Sequence, residues 1–162
     1  MAYRGQKLKG VPGCRAFGRF FCFAFLGVLG VFAAGCTTGK PVAGRCGQCG
    51  MDLSKYDRTL FEIRWTDGSV TKTCGVQCGL TQQLLHRDRY QSSVAKDYYA
   101  GSLWDAALGY YVFGSRIVPD MAPGFIAFRQ RSDAEKFRME SGGQIISFDE
   151  SLSAWAERKA RH

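Results

Sequence analysis

Short runs of alternating apolar and polar residues begin the part of the chain that is predicted to fold. Residues 60–65 alternate aromatic and β-branched side chains with polar ones, a pattern typical of a half-buried strand. Residues 67–68, an Asp-Gly pair, predict a tight turn, and residues 70–73 predict the returning strand. The spacing then becomes that of a helix over residues 75–86. The apolar residues predicted near one face of this helix are Val76, Leu80, Leu84 and Leu85.

A later stretch repeats this order of elements. Residues 110–113 and 124–128 are predicted strands, and the loop between them carries Met121 between two prolines. Residues 132–141 predict a helix, which is followed by a strand over residues 144–148 and a final amphipathic helix. Two related β-β-α units therefore predict one small domain of the α+β class.

Local signals predict where the helices of this second stretch begin and end. Ser132 and Glu135 have the spacing of a capping box, in which both side chains accept hydrogen bonds from backbone amides of the first turn. Residues 142–143 are both glycine, which predicts the end of that helix. Asp149 is the predicted N-cap of the final helix.

The first 35 residues have the organisation of a secretory leader. Residues 1–19 contain five basic residues and no acidic residue, and residues 20–34 contain only apolar residues and glycine. An apolar helix of about 15 residues is roughly 22 Å long, shorter than a hydrocarbon core of about 30 Å. These features predict a signal peptide over residues 1–35 rather than a membrane span.

Cys36 follows two alanines and a glycine, an arrangement that resembles the lipid-attachment box of bacterial lipoproteins. A lipidated Cys36 would become the mature N-terminus, with a tether over residues 36–44 and a folded domain over residues 45–162. The alternative is a signal anchor with an incidental cysteine. A diacyl anchor would hold the domain at the periplasmic face of a bacterial membrane. Because Thr37 rather than Asp follows Cys36, no inner-membrane retention signal is evident, and the outer membrane is a candidate location.

Net charge argues against nucleic acid as a partner. The chain of 162 residues has 22 basic and 14 acidic residues, a formal charge of +8. Without the leader, 17 basic residues face 14 acidic ones, which leaves +3. A nucleic-acid-binding surface requires a dense basic face, and so mild a surplus does not predict one.

Four of the seven cysteines fall within the predicted domain. Cys46 and Cys49 form a C-x-x-C pair, and Cys74 and Cys78 form a C-x-x-x-C pair. In an oxidising compartment, four cysteines favour disulfides, with three possible pairings. The same two pairs also fit a structural zinc site with four thiolate ligands. Both interpretations stay open at this point.

Two methionines suggest a different metal. Met51 lies two residues after Cys49, with Gly50 between them, so a thiolate and a thioether can face one point. Met121 lies in the proline-bracketed loop and could approach Cys49 if the two units pack together. Sulfur ligands of this kind select Cu(I) over hard ions. Cys49, Met51 and Met121 are therefore candidate Cu(I) ligands, with a loop methionine packed on the core as the alternative for Met121. The remaining cysteines are candidates for a second metal site or a disulfide. Those remaining cysteines are Cys46, Cys74 and Cys78.

The order of these motifs resembles the NosL family. The resemblance covers residues 45–150 and begins with Cys49-Gly50-Met51 near a lipoprotein-like N-terminus. The other motifs that carry it are Asp67-Gly68, Met121, Ile126-Ala127-Phe128, Asp133-Ala134-Glu135-Lys136-Phe137 and Gly142-Gly143.

The resemblance implies a lipid-anchored copper chaperone of nitrous oxide reductase maturation, a protein that is not an enzyme. It implies two related β-β-α units and Cu(I) bound by Cys49 and Met121, with Met51 adjacent. It further implies delivery of copper toward the copper-sulfide centre of the reductase, in denitrification, through the enzyme or its maturation membrane complex. Relative to this ligand set, the other three cysteines of the domain are additional sulfurs.

Two other functions compete with copper delivery. The first is a binding module stabilised by structural zinc or by disulfides at the four cysteines of the domain. The second is a thiol-disulfide oxidoreductase that uses Cys46 and Cys49. A redox C-x-x-C motif normally begins a helix after a strand, where the helix dipole lowers the thiol pKa. Here the motif follows a predicted tether, which disfavours the enzyme.

Overall fold

The hairpin predicted at the start of the domain is present. The computed structural model describes residues 43–161, in which strand β1 (Phe61–Trp65) pairs antiparallel with strand β2 (Val70–Thr73). Asp67 accepts hydrogen bonds from the backbone N and side-chain Oγ of Ser69, at 2.9 and 2.6 Å, and these bonds close the turn. The alternation of polar and apolar residues is realised on β1, where Phe61, Ile63 and Trp65 are buried.

Helix α1 (Val76–Leu85) follows the hairpin, and two further strands complete the first sheet. Strand β3 (Tyr90–Lys96) pairs with β1, and strand β4 (Leu103–Asp105) pairs with β3. The sheet is antiparallel with strand order β2-β1-β3-β4. The sequence did not predict β3 or β4, because the buried positions of β3 include the small residues Ser93 and Ala95.

The second unit follows the same path. Strand β5 (Tyr110–Phe113) pairs with strand β6 (Phe125–Phe128), and helix α2 (Arg131–Ser141) leads into strand β7 (Gln144–Ile146). The sheet order is β6-β5-β7, so the first strand of the unit is central, as β1 is in the first sheet. Helix α3 (Phe148–Ala160) ends the described chain. The predicted α+β class and the two related β-β-α units are confirmed, and each unit has a strand after its helix. In the second unit this strand was predicted over residues 144–148, and it ends at Ile146 because Phe148 begins α3.

The two units share one apolar core, to which β1, β5, β6 and α3 all contribute. Its buried members are Phe61, Ile63, Trp65, Val76, Leu80, Ala95, Trp104, Ala106, Tyr111, Phe125, Ala127 and Phe148. Full burial of one large apolar side chain stabilises a fold by about 1.5–3 kcal/mol. Across the units, Trp155 Nε1 in α3 donates a hydrogen bond to Thr81 Oγ1 in α1 at 2.8 Å. The position of α1 is therefore fixed by elements of both units.

Three details of the helices differ from the sequence prediction. Leu85 is 64% exposed instead of packing with the apolar face of α1, because it lies in the last turn. Ser132 does not cap α2, whose N-cap is Gln130 without a side-chain hydrogen bond. The capping box belongs to α3, where Ser147 and Glu150 accept each other's backbone amides, and Asp149 lies inside the first turn.

The predicted leader over residues 1–35 and the lipidation residue Cys36 lie outside the described residues. At the predicted boundary of the tether, the Gly44 carbonyl accepts a hydrogen bond from the Leu53 amide at 2.9 Å, so Gly44 is tied to the fold. Within residues 43–161, none of the helices has both the length and the apolar character of a membrane span.

Candidate metal centre

The C-x-x-C pair lies on a tight turn that is tied to the first sheet. The Cys46 amide donates to the Met51 carbonyl at 2.8 Å, and the Gly50 amide donates back to the Cys46 carbonyl at 2.9 Å. Gly50 has a φ of 75°, a left-handed conformation that glycine adopts without steric cost. The Gly47 amide donates to the carbonyl of Lys72 in β2 at 2.9 Å. These bonds orient the two thiols toward the end of the hairpin.

The C-x-x-x-C pair lies where β2 passes into α1. Cys74 follows the last residue of β2, Gly75 is the N-cap of α1, and Cys78 lies in the first turn of that helix. The Thr59 hydroxyl donates to the Cys74 carbonyl at 2.6 Å, which fixes the backbone at this point. The positive end of the helix dipole therefore lies beside both thiols and favours negative charge in their surroundings.

The fold brings the two pairs together as one cluster. The four Sγ atoms of Cys46, Cys49, Cys74 and Cys78 all lie within 4.8 Å of one another. Cys74 Sγ is 3.6 Å from Cys49 Sγ and 3.7 Å from Cys78 Sγ, and all four thiols are free. Cys46, Cys74 and Cys78 are 4%, 0% and 2% exposed, whereas Cys49 is an exposed residue. The cluster is thus a buried group of three thiols with a fourth at the surface.

Hydrogen bonds among the thiols distribute charge unevenly. The hydrogen bond with Cys74, followed by the weaker one with Cys78, holds the pKa of the Cys46 thiol far below its usual value. The same bonds to Cys46, together with burial, raise the pKa of the Cys74 and Cys78 thiols. The hydrogen bonds among the thiols therefore favour ionisation of Cys46 over that of Cys74 and Cys78.

Both candidate methionines reach this cluster. Met51 and Met121 are partly buried and pack against the apolar group that contains Cys46, Cys74 and Cys78. The four thiols and the two adjoining methionines are hereafter called the sulfur site. The Cu(I) prediction separated Cys49 from the other three cysteines, whereas the zinc alternative grouped all four. The structure has the four cysteines together, with the two methionines packed beside them.

Two further residues border the sulfur site and were not predicted. Gln77, 1% exposed, donates from Nε2 to the Met121 carbonyl at 2.8 Å. Neither carboxylate oxygen of Asp120 has a hydrogen-bond partner, and burial raises the pKa of Asp120 to about 6. No signal in the sequence identifies them, because a glutamine in a helix and an aspartate in a loop are ordinary occurrences.

The donor set fits a soft metal ion in a tetrahedral or lower coordination. A metal–sulfur bond of about 2.3 Å in a tetrahedron places the sulfur atoms roughly 3.8 Å apart. The separations of 3.6 and 3.7 Å at Cys74 are close to that value. Thiolate and thioether donors suit Cu(I) and Zn(II) and disfavour hard cations. Because Cys46 and Cys49 lie in a turn and not at a helix start, the geometry disfavours a redox C-x-x-C motif.

These features define a small α+β protein of two ββαβ units with a sulfur-rich metal site. The sequence model of the NosL family matches residues 42–155 of the chain. The chain belongs to the NosL family. This agrees with the prediction that it is not an enzyme.

Among solved structures, the chain is similar to the crystal structure of the copper chaperone NosL from Shewanella denitrificans. The two chains are 23% identical with a TM-score of 0.58, and the match covers 65% of this chain and 87% of the other. A comparison with curated proteins finds no match. The structural similarity confirms the fold, and the ligand set of the sulfur site rests on this chain's own geometry.

Proposed function

We propose that the chain is a metallochaperone that binds Cu(I) at the sulfur site and passes it to a copper enzyme. The observation that carries the proposal is the gathering of four thiols within 4.8 Å, with two thioethers packed against them. Such a donor set favours soft ions, Cu(I) among them, over hard cations. Membership of the NosL family and the similarity to a copper chaperone support the same cargo.

The exposure of the four thiols suggests how the cargo is exchanged. Cys46, Cys74 and Cys78 are buried and retain the ion, whereas Cys49 is exposed and is the ligand that an incoming partner replaces. Gly47 and Gly50 of the same turn are also exposed, so an incoming ligand can approach Cys49 from solvent. Met51 and Met121 supply weaker thioether contacts that limit access of water to the ion.

Location and client are part of the proposal. The leader over residues 1–35 and a lipid on Cys36 would hold the chaperone at the periplasmic face of a bacterial membrane. The client we propose is nitrous oxide reductase, at its copper-sulfide centre, or the membrane complex that matures it. The resemblance of the motifs to those of the NosL family supports this client.

A structural zinc site is the second candidate for the four cysteines. The separations of 3.6 and 3.7 Å between sulfur atoms suit a tetrahedral Zn(II) site, and three of the four thiols are enclosed by protein. Zinc at this position would fasten the turn at Cys46 to the start of α1. It would then contribute to folding and would not be exchanged with a client.

Competition between the two metals tests the proposal. The reduced protein is titrated anaerobically with Cu(I) and with Zn(II) against chelators of known affinity, in the native form and as Cys49→Ser, Cys74→Ser and Met121→Leu. We expect Cu(I) to displace Zn(II). Loss of a cysteine ligand should weaken Cu(I) binding by more than the roughly 10- to 100-fold typical of outer-shell substitutions. Met139→Leu is the matched control, because Met139 is 75% exposed on α2.

Two results would contradict copper delivery. One is a native protein that takes up Zn(II) at all four cysteines and unfolds when zinc is chelated, while Cu(I) fails to compete. The other is Cu(I) binding that is equally tight after Cys49→Ser and Cys74→Ser, because the ion would then lie elsewhere on the chain.

A further inference from the structure

Residues 119–123, hereafter the strap, carry Met121 from the second unit to the sulfur site of the first. We propose that Gln77 is a positioning residue that holds the strap in place, so that the Met121 thioether stays directed at the metal. Gly75 lets the strap pack closely, because it has no side chain where the Asp120 carboxylate lies. This inference rests on the proposed copper-binding function.

Gln77 is a buried amide that bridges the two units. It lies next to Cys78 in α1 and is 1% exposed, and its Nε2 donates to the Met121 carbonyl across 44 residues of sequence at 2.8 Å. Within residues 43–161, this is the side-chain hydrogen bond that reaches the strap from elsewhere in the fold. Its Oε1 has no partner. A buried amide with an unpaired oxygen atom is less favourable than an apolar side chain at the same position. Its presence is explained if the hydrogen bond that it does make positions the strap.

The contact between Gly75 and Asp120 shows how closely the strap packs against the start of α1. A Cβ atom at Gly75 would lie 1.7 Å from Asp120 Oδ2 and 2.7 Å from Asp120 Cγ, so only glycine leaves room for the carboxylate. The backbone of Gly75, with φ −165° and ψ 170°, is extended and available to any residue. The requirement for glycine therefore comes from contact with the strap and not from backbone conformation.

Residues 74–78, at the start of α1, thus have two roles. Cys74 and Cys78 supply thiols, and between them Gly75 and Gln77 contact the strap. The strap is otherwise weakly held, because it lies in no helix or strand and Asp120 buries two unpaired oxygen atoms there. Loss of the Gln77 hydrogen bond would free Met121 from the sulfur site without touching any cysteine.

A double-mutant cycle between Gln77 and Met121 tests the inference. In Gln77→Leu, we expect Cu(I) affinity to fall about 10- to 100-fold, the range typical of residues that orient a metal ligand. In the Met121→Leu background, the same substitution should cause no further loss, because the thioether that Gln77 positions is gone. Gln83→Leu is the matched control, since Gln83 is a second buried glutamine of α1 whose Oε1 also lacks a partner. Additive losses in the cycle would overturn the inference.

A measurement without metal separates this inference from the proposed function. Nuclear magnetic resonance relaxation of residues 120–122 measures the mobility of the strap in the reduced, metal-free protein. We expect this mobility to increase in Gln77→Leu and to stay unchanged in Gln83→Leu. Equal mobility in the native protein and Gln77→Leu would refute positioning even if copper binds. Absence of Cu(I) binding by the native protein would instead refute the chaperone, and the relaxation experiment would still decide the role of Gln77.

A second pair of variants covers the case in which Gln77→Leu fails to fold. Gly75→Ala should displace the strap through its clash with Asp120 and increase the mobility of residues 120–122. Asp120→Ala removes the clashing atoms and leaves the two Cβ atoms 3.5 Å apart, an ordinary contact. The double variant should therefore have a less mobile strap than Gly75→Ala. Failure of this rescue would show that the alanine acts through Cys74 or Cys78 and not through the strap.

Discussion

At the scale of single residues, the four thiols of the sulfur site differ mainly in depth. Cys49 is exposed, while the other three are at most 4% exposed. Depth controls reactivity as much as pKa does, because a reagent must reach a sulfur atom before it can react with it. The residue that the sequence placed at the centre of the metal site is thus also the accessible one.

Alkylation kinetics test this difference in depth. In the reduced, metal-free protein, we expect iodoacetamide to modify one thiol rapidly and the other three at least about tenfold more slowly, because reaction at a buried thiol requires local opening. Peptide mass spectrometry should place the fast modification on Cys49, and Cys49→Ser should remove the fast phase. A fast phase assigned to Cys46 would show that the turn opens readily and that burial does not protect its thiolate.

The sequence indicated the chemistry of the site better than it indicated which residues form the site. Soft-ligand reasoning selected Cys49, Met51 and Met121. Cys49 belongs to the cluster of four thiols, and both methionines pack against the buried cysteines of that cluster. The same reasoning treated the remaining cysteines as a separate group, because spacing alone does not reveal that β2 returns to the C-x-x-C turn. Gln77 and Asp120 could not be predicted, since their significance arises only from contacts across 44 or more residues of chain.

At the scale of elements, strong local signals predicted structure well and weak ones did not. The strand over residues 70–73 and the strand over residues 110–113 have the predicted bounds, because both are rich in β-branched or aromatic residues, which favour strands. β3 was missed, since Ser93 and Ala95 give little apolar signal. Capping signals were assigned to the wrong helix, because serine and glutamate three residues apart occur at both α2 and α3.

The capping box of α3 provides a test at this scale. Ser147→Ala should destabilise the protein by about 1 kcal/mol, because the first turn of α3 loses the side-chain acceptor for the Glu150 amide. Urea denaturation monitored by tryptophan fluorescence measures the change in the free energy of unfolding. Ser132→Ala is the matched control and should change stability by less than about 0.5 kcal/mol, because Ser132 caps nothing in α2. Equal effects of the two substitutions would contradict the assignment.

At the scale of the whole molecule, the sulfur site depends on both ββαβ units. The first unit supplies the four thiols and Met51, and the second supplies Met121. The shared aromatic core and the hydrogen bond from Trp155 to Thr81 hold α1 against α3. This packing keeps the ligands of the two units close to one another. A bound ion would therefore connect three separate segments of the chain.

Metal binding should consequently stabilise the entire fold. At a free Cu(I) concentration of 100 times Kd, we expect the free energy of unfolding to rise by about 2.7 kcal/mol, provided that the unfolded chain binds the ion much less tightly. Thermal unfolding at buffered Cu(I) concentrations measures this, and removal of the ion by a chelator should reverse it. Cys74→Ser should lose the response. An unchanged midpoint despite stoichiometric binding would mean that the unfolded chain competes for copper.

All seven cysteines precede residue 79, so the second ββαβ unit repeats the path of the first without its thiols. Thiol oxidation would therefore fall on the first half of the chain alone. A cargo lost through a disulfide or a sulfenic acid could be taken up again after treatment with a thiol reductant, whereas oxidation to a sulfonic acid would be permanent.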